Sequence, residues 1–228
     1  MTTTVQFTNI DKVLWPQLQK GDYIRYLYDV APVMLPFLEN RLLTVKRLPN
    51  GIKGESFYQK NCPDYAPSFV QTHYADDNNY IICNDVDTLL WLGNQLAIEY
   101  HVPFQTIDSE EPAEIVFDLD PPSRDHFQLA VKAARLIKEV CDSLKLTSFV
   151  KTSGNKGLQV YLPLQENHHT YKDTRLFTQF IANYLTTKES NLFTTERLKK
   201  KRGQKLYVDY IQHAEGKTII APYSPPYQ

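Results

Sequence analysis

Cysteine is scarce and unpaired in this sequence. The three cysteines, Cys62, Cys83 and Cys141, are odd in number and widely spaced, and none lies in a C-x-x-C motif. Such a set indicates neither a disulfide framework nor a zinc site, because both need cysteine or histidine residues at close or repeated spacing. A reducing compartment is therefore the expected environment.

Long apolar runs, internal repeats and low-complexity tracts are also lacking. No apolar run approaches the roughly 18 residues of a membrane-spanning helix, and no charged-then-apolar leader opens the chain. These absences predict a cytoplasmic protein with no membrane partner. The 228 residues are 42% hydrophobic, which is ordinary for a globular core, and nothing in them marks a flexible linker. We therefore predict one domain over residues 1–228.

Net charge is nearly absent too, but the charges are segregated along the chain. The formal net charge is −1, which by itself does not indicate a nucleic-acid partner. Six acidic residues nonetheless fall between Asp108 and Asp120, and six basic residues fall between Arg197 and Lys205. Separate blocks of this kind suit a metal ion on one and phosphates on the other, although two solvated surfaces would give the same pattern.

The stretch Ile115–Pro122, IVFDLDPP, places two carboxylates two residues apart at the end of an apolar run. In a strand, Asp118 and Asp120 lie on one face about 6 to 7 Å apart, a spacing that suits a shared Mg²⁺ or Mn²⁺. Pro121 and Pro122 end the strand and leave both acids at its rim. A turn that opens with Asp before Pro is the alternative.

Two later stretches add to this picture. The loop 152–157, TSGNKG, combines Ser153 and Lys156 with two glycines that let the backbone approach an anion, so it is a candidate phosphate loop. A glycine-rich hairpin turn is the alternative. Asp209 interrupts the apolar strand 206–211, LYVDYI, and a buried carboxylate needs a partner. We predict that it is the third metal ligand, with an ion pair to Lys or Arg as the alternative.

Hydrophobic periodicity predicts the surrounding elements. Helices are expected from Lys20 to Asn40 with a break at Pro32, from Asp85 or Asp87 to about Tyr100 with His101 at its end, and from Ser123 to about Leu144. A further helix is expected from Thr170 or Asp173 onward, and its inward-facing residues are predicted to be Leu176, Phe177, Phe180, Ile181 and Tyr184. Strands are expected at 42–48, 56–60, 79–83, 148–151, 158–162 and 217–221, the first two as a hairpin. Phe57 and Tyr58 are adjacent in that hairpin, and at least one is expected to pack in the core.

Several segments, in this order, resemble a known family. They are TNIDKVLWP at 8–16, LTVKRLPNGIKGESFYQK at 43–60, AIEYH at 97–101, DLDPP at 118–122, KTSGNKGLQVYLPL at 151–164, KKKRG and YVDYIQ within 199–212, and APYS at 221–224. Together they are similar to the polymerase domain of the bacterial ligase D proteins of non-homologous end joining, in the archaeo-eukaryotic primase superfamily. The similarity spans essentially the whole chain.

The resemblance implies a fold, an activity and a set of partners. The fold is α/β (α+β), a two-layer primase-like architecture with mixed and antiparallel sheets flanked by helices around a central cleft. The activity is that of a nucleotidyltransferase that adds NTPs or dNTPs to a 3′ hydroxyl at gaps and break ends, with two Mn²⁺ or Mg²⁺ ions as cofactors. The partners are DNA with 5′-phosphorylated ends or gaps, a ligase domain and a Ku-type end-binding protein, at the bacterial nucleoid.

The resemblance also implies three sets of site residues. The catalytic, metal-binding set comprises Asp118, Asp120 and Asp209. The nucleotide-binding set comprises Lys46, His101, Ser153, Lys156, Gln159, Arg202 and Gln212. The DNA-binding set comprises Asn9, Lys12 and Lys20, which match a pocket for the 5′ phosphate, and Phe57 and Tyr58, which match a paired-aromatic position that packs on the DNA end.

Two positions depart from the family pattern. Gln159 stands where the family usually has the His of SGxKGxH, so one imidazole is missing from the triphosphate site while a neutral donor remains. After APYS, where the family commonly carries an Arg, the chain has Pro225, Pro226 and Tyr227. Both departures bear on how strongly a nucleotide is held.

Two other functions are compatible with the same residues. A non-catalytic module would recognise 5′-phosphorylated DNA ends and bridge breaks for a ligase. A carboxylate-metal nuclease or phosphatase would use the three acids to shorten strands rather than lengthen them. A primer-extension assay beside an end-binding assay separates the three hypotheses.

Overall fold

A computed structural model describes residues 3–165 and 167–225 of the chain. The α-helices are α1 (Lys20–Met34), α2 (Val86–Asn94), α3 (Phe127–Ser143) and α4 (Tyr171–Lys188). The strands are β1 (Val13–Trp15), β2 (Leu18–Gln19), β3 (Thr44–Arg47), β4 (Phe57–Gln59), β5 (Gln71–Ala75), β6 (Asn78–Ile82), β7 (Ala97–Pro103), β8 (Glu114–Asp120), β9 (Phe149–Thr152), β10 (Leu158–Pro163), β11 (Phe193–Thr194), β12 (Leu206–Asp209) and β13 (Thr218–Ile220).

The chain divides into two compact units. The first unit combines the segment that ends at Asp108 with the segment that begins at Thr218. The second unit is formed by Ser109–Lys217. Each unit has its own sheet and its own helices. The expectation of one domain over residues 1–228 stays a prediction. Within the described ranges, no helix is both long enough and apolar enough to cross a membrane.

The first unit is built on a four-stranded antiparallel sheet in the order β13-β7-β3-β4. The predicted hairpin is confirmed, since β3 and β4 pair with Val45 opposite Gln59. Helix α1 buries Tyr23, Ile24 and Leu27, whose spacing gives one apolar stripe toward the core. Strand β5, which the sequence did not predict, is almost wholly exposed and therefore lacks the apolar alternation that would have indicated it.

The helix that was expected to reach Tyr100 is shorter. Asp85 caps it as predicted, because its carboxylate accepts a hydrogen bond from the Thr88 amide at 2.7 Å. Helix α2 then ends at Asn94, and Leu96 has a positive φ of 59°, a backbone conformation that cannot continue a right-handed helix. The prediction that His101 stands at a helix end is therefore wrong, and His101 lies in strand β7.

The second unit contains a five-stranded mixed sheet in the order β11-β12-β8-β10-β9, in which only the β11–β12 pair is parallel. Ile115, Phe117 and Leu119 of β8 belong to the core that α3 and α4 complete. Because side chains alternate along a strand, the acids Asp118 and Asp120 lie on the other face of the sheet. The expected α/β class with antiparallel and mixed sheets is confirmed.

Helix α4 begins where predicted but faces differently. The Thr170 hydroxyl accepts a hydrogen bond from the Asp173 amide, which forms the N-terminal cap. Of the five residues predicted to face inward, Ile181 is buried, and Phe177 and Tyr184 are partly buried against the core. The prediction is wrong for Leu176 and Phe180, whose relative exposures are 63% and 53%. The buried residues of the helix are Thr174, Thr178, Ile181, Ala182 and Leu185. A search for apolar residues passes over the two threonines among them.

His213 gives a testable pH dependence of stability. It is 1% exposed, its Nε2 lies 2.9 Å from the Thr174 hydroxyl, and burial, followed by the Arg175 charge, lowers its pKa from 6.5 to about 4. The unfolded chain therefore binds this proton more readily than the folded chain between those two pH values. We expect the His213 contribution to stability to be complete above pH 6.5 and to decline by roughly 3 kcal/mol as pH falls toward 4.

Urea unfolding of the wild type and of His213→Gln from pH 8 to about pH 4 measures this contribution. The difference in free energy of unfolding between the two chains should shrink or reverse as pH falls through the window, because glutamine does not titrate. Two curves that stay parallel would contradict the prediction.

Candidate active site

The three predicted acids lie side by side on one face of the second unit's sheet. Strands β8 and β12 are antiparallel neighbours, with Asp118 opposite Asp209 and Asp120 opposite Tyr207. Directly opposed residues have Cβ atoms about 4.5 to 5.5 Å apart. The sheet register therefore brings together carboxylates that are about 90 positions apart in the chain.

Burial and like charge act on Asp118. Burial raises its pKa to about 6, a hydrogen bond from the Gln159 side-chain amide at 3.3 Å opposes that rise, and the charges of Asp209 and Asp120 add to it. The ionised carboxylate is thus disfavoured in the chain alone. A positive charge beside it would reverse that preference.

Asp209 is oriented by neutral donors. The Tyr207 hydroxyl and the Gln212 amide both donate to its Oδ1, each at 3.1 Å. Within the described ranges, no lysine or arginine forms an ion pair with Asp209, so the ion-pair alternative is wrong. Burial, then the Asp209 charge, raises the pKa of Tyr207 to about 12, so its hydroxyl remains a donor at neutral pH.

The ion pairs fall on Asp120 instead. The Lys156 ammonium lies 3.0 Å from its Oδ1, and the Arg202 guanidinium lies 3.3 Å from its Oδ2. Arg202 is itself fixed, because it donates to the carbonyls of Glu196 and Arg197 at 2.8 Å each. One basic side chain from the loop 152–157 and one from the Arg197–Lys205 block thus meet at the rim of β8.

The loop 152–157 is a hairpin turn whose lysine faces the acids. The Ser153 amide donates to the Gly157 carbonyl at 2.9 Å, and the Gly157 amide donates to the Ser153 hydroxyl at 3.0 Å, which closes the turn between β9 and β10. Gly154 has a φ of 92°, in the left-handed region that favours glycine. The hairpin alternative is therefore correct for the backbone, and it leaves Lys156 directed at Asp120.

Gln159 is buried rather than presented to solvent. It is 3% exposed, its amide nitrogen donates to Asp118 at 3.3 Å, and its oxygen accepts from the Tyr161 hydroxyl at 3.3 Å. Both ends of the side chain therefore have internal partners. Its predicted contact with a nucleotide stays a prediction, while its contact with Asp118 is direct.

The acid set suits a hard divalent cation in its chemistry. Carboxylate oxygens are the ligands that Mg²⁺ and Mn²⁺ prefer, and like-charge repulsion at Asp118 is what a cation relieves. In the arrangement described, however, Asp120 faces two bases, and no group of three or more His, Cys, Asp or Glu side chains in residues 3–165 and 167–225 is placed to hold an ion. Asp118 and Asp209 fit as they stand, and Asp120 fits once Lys156 and Arg202 turn away.

In the first unit, two predicted nucleotide contacts share one face of the sheet. Lys46 of β3 lies opposite Tyr58 of β4 and Glu99 of β7. The Lys46 ammonium is 5.6 Å from the Tyr58 ring centre, and the His101 ring packs edge-on against the same ring at 5.5 Å. His101 also lies 3.0 Å from the Glu99 carboxylate. The four side chains, Lys46, Tyr58, Glu99 and His101, form one surface that combines an aromatic ring with polar and charged groups.

The three residues matched to a 5′-phosphate pocket are neighbours in the first unit. The Lys12 amide donates to the Asn9 carbonyl, and the Lys20 amide donates to the Lys12 carbonyl. Both ammonium groups donate to backbone carbonyls, Lys12 to Pro49 and Lys20 to Thr8. Burial, followed by the charge of Lys12, lowers the pKa of Lys20. The two lysines are thus close enough for the charge of one to act on the other, and Lys20 is the first residue of α1.

The paired aromatics Phe57 and Tyr58 are both exposed, at 45% and 61%. The expectation that at least one would be buried in the core is therefore wrong. Phe57 carries the Arg47 guanidinium over its ring at 5.5 Å. Strand β4 is the edge strand of its sheet as described, so one of its two hydrogen-bonding edges has no neighbouring strand in that sheet.

Two residues of the acid face were missed from the sequence. Lys151 lies opposite Gln159, which in turn lies opposite Asp118, so the three form one row across the sheet. Burial lowers the pKa of Lys151 to about 8, and the Asp118 charge opposes that shift. Tyr207 is the second missed residue. Its position two before Asp209 indicated a shared face, but only the register shows that it stands opposite Asp120.

Comparisons with known proteins agree with this architecture. The family model for the LigD primase-polymerase domain matches residues 19–226. The LigD proteins of Bacillus subtilis strain 168 and Mycolicibacterium smegmatis, named as bifunctional and multifunctional non-homologous end joining proteins, are 57% and 34% identical to this chain over 96% of its length. The matches span 36% and 30% of those proteins, so the chain covers about a third of the relatives' length.

A solved structure gives the same result for the fold. The polymerase domain of Mycobacterium tuberculosis ligase D, in complex with DNA, superposes with a TM-score of 0.89 and 31% sequence identity. The superposition covers 98% of this chain and 83% of that one. The predicted primase-like fold is therefore confirmed. The chain belongs to the family of LigD primase-polymerase domains, which are nucleotidyltransferases.

Proposed function

We propose that this chain adds NTPs or dNTPs to a 3′ hydroxyl at gaps and double-strand-break ends during non-homologous end joining. The observation that carries the proposal is the register of β8 and β12, which sets Asp118 opposite Asp209 with Asp120 beside them and two bases at the rim. Three acids next to two phosphate-binding cations are what transfer of a nucleotidyl group requires.

Asp118, Asp120 and Asp209 are the residues that would hold two Mn²⁺ or Mg²⁺ ions. When bound, such ions supply a lowered pKa for the attacking hydroxyl and neutralise the charge on the leaving pyrophosphate. Asp118 and Asp209 contribute the carboxylates that already face each other. Asp120 contributes the third when its two bases exchange partners.

The proposed role of Lys156 and Arg202 is to exchange one anionic partner, the Asp120 carboxylate, for another, the triphosphate of the nucleotide. Both bases pair with Asp120 in the structure. A triphosphate presents more negative charge than one carboxylate, so the Lys156 ammonium turns to its oxygens and the Arg202 Nη1 group donates to them in place of Asp120. The Nε and Nη2 groups of Arg202 keep their carbonyl partners. Ser153 belongs to the same turn as Lys156, and the Gln212 backbone amide donates to Asp209, three residues before it. For Lys46 and His101 of the first unit, a nucleotide contact is proposed from the family resemblance.

Lys156→Met tests the exchange. Loss of the ammonium removes a triphosphate contact, and we expect the KM for NTP in primer extension to rise about 10-fold, with a smaller fall in kcat. Lys138→Met is the matched control, because Lys138 pairs with Asp142 on the exposed surface of α3. Equal KM values for the two variants would contradict the assignment of Lys156.

A 5′ phosphate is the proposed ligand of Asn9, Lys12 and Lys20. Lys20 is the first residue of α1 and its backbone amide donates to the Lys12 carbonyl, so two basic residues adjoin each other where the helix begins. Phosphate contacts of this kind are independent of base sequence, as an enzyme of broken ends requires. The exposed rings of Phe57 and Tyr58 are the proposed packing surface for the end itself.

Lys12→Gln tests whether this pocket makes the chain prefer 5′-phosphorylated ends. We expect the affinity ratio between phosphorylated and unphosphorylated ends to fall about 10-fold and the salt dependence of binding to lose about one unit of slope. The exposed Lys53 is the matched control, since Lys53→Gln removes the same charge elsewhere in the first unit. An unchanged affinity ratio for Lys12→Gln would mean that the 5′ phosphate does not bind at Lys12.

The proposed function is tested by extension of a primer at a 5′-phosphorylated gap, with NTP and dNTP in parallel and with Mn²⁺, Mg²⁺ or EDTA. Lengthened products that need a divalent ion are expected. Products that shorten would instead support the nuclease alternative. Binding to phosphorylated ends without any extension would support the non-catalytic end-bridging module, which the engagement of Asp120 by two bases favours.

The proposed partners follow from the relatives. They are named as non-homologous end joining proteins and are about three times as long as this chain. We infer a ligase domain and a Ku-type end-binding protein as the partners with which this chain acts at breaks.

A further inference from the structure

Tyr207 touches both halves of the proposed site. It is 5% exposed and lies on β12, opposite Asp120 and two residues before Asp209. Its hydroxyl donates to Asp209 Oδ1 at 3.1 Å. Its ring centre lies 3.7 Å from the guanidinium carbon of Arg202. No role for this side chain follows from the three acids or from the basic block by themselves.

The hydroxyl and the ring of Tyr207 contact different residues and have different effects. The hydroxyl, with the Gln212 amide, occupies one oxygen of Asp209 and so fixes the direction of the other. The ring is a flat platform that sets the plane of the Arg202 guanidinium, whose Nε and Nη2 donate to the Glu196 and Arg197 carbonyls while Nη1 faces Asp120. One buried side chain thus fixes an acid and a base that serve different ligands.

We propose that Tyr207 is a positioning residue that orients Asp209 toward the divalent ion through its hydroxyl and Arg202 toward the triphosphate through its ring. The inference rests on the proposed function for its ligands, but not for its contacts. It predicts that the two roles are separable, because phenylalanine keeps the ring and removes only the hydroxyl, while leucine removes both.

The test compares Tyr207→Phe, Tyr207→Leu and the control Tyr184→Phe, which removes a hydroxyl bound to Lys188 on the exposed part of α4. Mn²⁺ binding is followed by electron paramagnetic resonance of the free ion, without nucleotide or DNA. The KM for NTP and kcat are measured by primer extension, and thermal melting in EDTA checks that each variant is folded.

Tyr207→Phe is expected to weaken Mn²⁺ binding about 10-fold, the usual effect of losing a group that orients a metal ligand, with the KM for NTP within about twofold of wild type. Tyr207→Leu is expected to add a rise in the KM for NTP of about 10-fold. The control should match the wild type in every measurement.

Unchanged or tighter Mn²⁺ binding by Tyr207→Phe overturns the role of the hydroxyl. Equal KM values for Tyr207→Phe and folded Tyr207→Leu overturn the role of the ring. A wild type that binds Mn²⁺ but extends no primer instead refutes the proposed function, and in that case the Mn²⁺ measurement still decides the role of the hydroxyl.

Discussion

Asp118→Asn is expected to reduce primer extension by about 1,000-fold or more while the chain stays folded. The carboxylate lies at the centre of the acid row, opposite Asp209 and bonded to Gln159. Replacing it with an amide removes one negative ligand from the metal set, which costs several kcal/mol of transition-state stabilisation. Asparagine keeps the shape of the side chain and an oxygen to accept the Gln159 hydrogen bond.

The same substitution should not destabilise the metal-free chain. The folded-state pKa of Asp118 is raised to about 6, so its ionised form costs folding free energy at pH values above that, and asparagine removes the cost. Urea unfolding in EDTA at pH 7.5 should therefore give equal or greater stability for Asp118→Asn. Asp142→Asn on the α3 surface, where Asp142 pairs with Lys138, is the matched control for both measurements. Residual extension by Asp118→Asn near the wild-type rate would refute the metal assignment.

The sequence predicted the elements with clear periodicity and failed where packing overrides it. The acid strand β8 was found because its apolar residues alternate and Pro121 marks its end. The strand that holds His101 was mistaken for helix because its apolar residues follow α2 after a short break at Leu96. Helix α4 was placed correctly, but Leu176 and Phe180 were wrongly assigned to the core, because the threonines of its buried face carry no apolar signal. The hydrophobic pattern of a segment does not show which of its residues are buried in the core.

The candidate site was predicted in part for a similar reason. Asp118 and Asp120 share a face by spacing along one strand, which a sequence reports directly. The opposition of Asp118 to Asp209 depends on which strands pair and in what register, and no local spacing contains that information. The Lys156–Asp120 pair and the Tyr207–Arg202 stack depend on the same register. The residue pattern itself predicted Asp209 as a metal ligand and Lys156 as part of a phosphate loop, the resemblance added the role of Arg202, and Tyr207 required the structure.

Gly157→Ala is expected to destabilise the second unit and to disable the site with it. A Cβ at this position would lie 2.2 Å from the carbonyl oxygen of Leu119 and 3.3 Å from Cδ of Pro121. Both contacts are with the end of β8, and the nearer one is backbone, so no side-chain rotation relieves it. The start of β10 must move away from the strand that carries Asp118 and Asp120, at a cost of about 3 kcal/mol.

Gly216→Ala is the matched control for urea unfolding, because no atom lies within 4 Å of a Cβ there and its φ of 70° leaves only backbone strain. That strain costs about 1 kcal/mol, so Gly157→Ala should show the larger loss of the two. Primer extension by Gly157→Ala should fall at temperatures where the chain is still folded, since the displaced hairpin moves Lys156 away from the rim of β8, where the triphosphate is proposed to bind. Equal losses of stability in the two variants would mean that β10 can move away from Leu119 without cost. The prediction that Gly157 is needed to hold β10 against the strand of Asp118 and Asp120 would then be wrong.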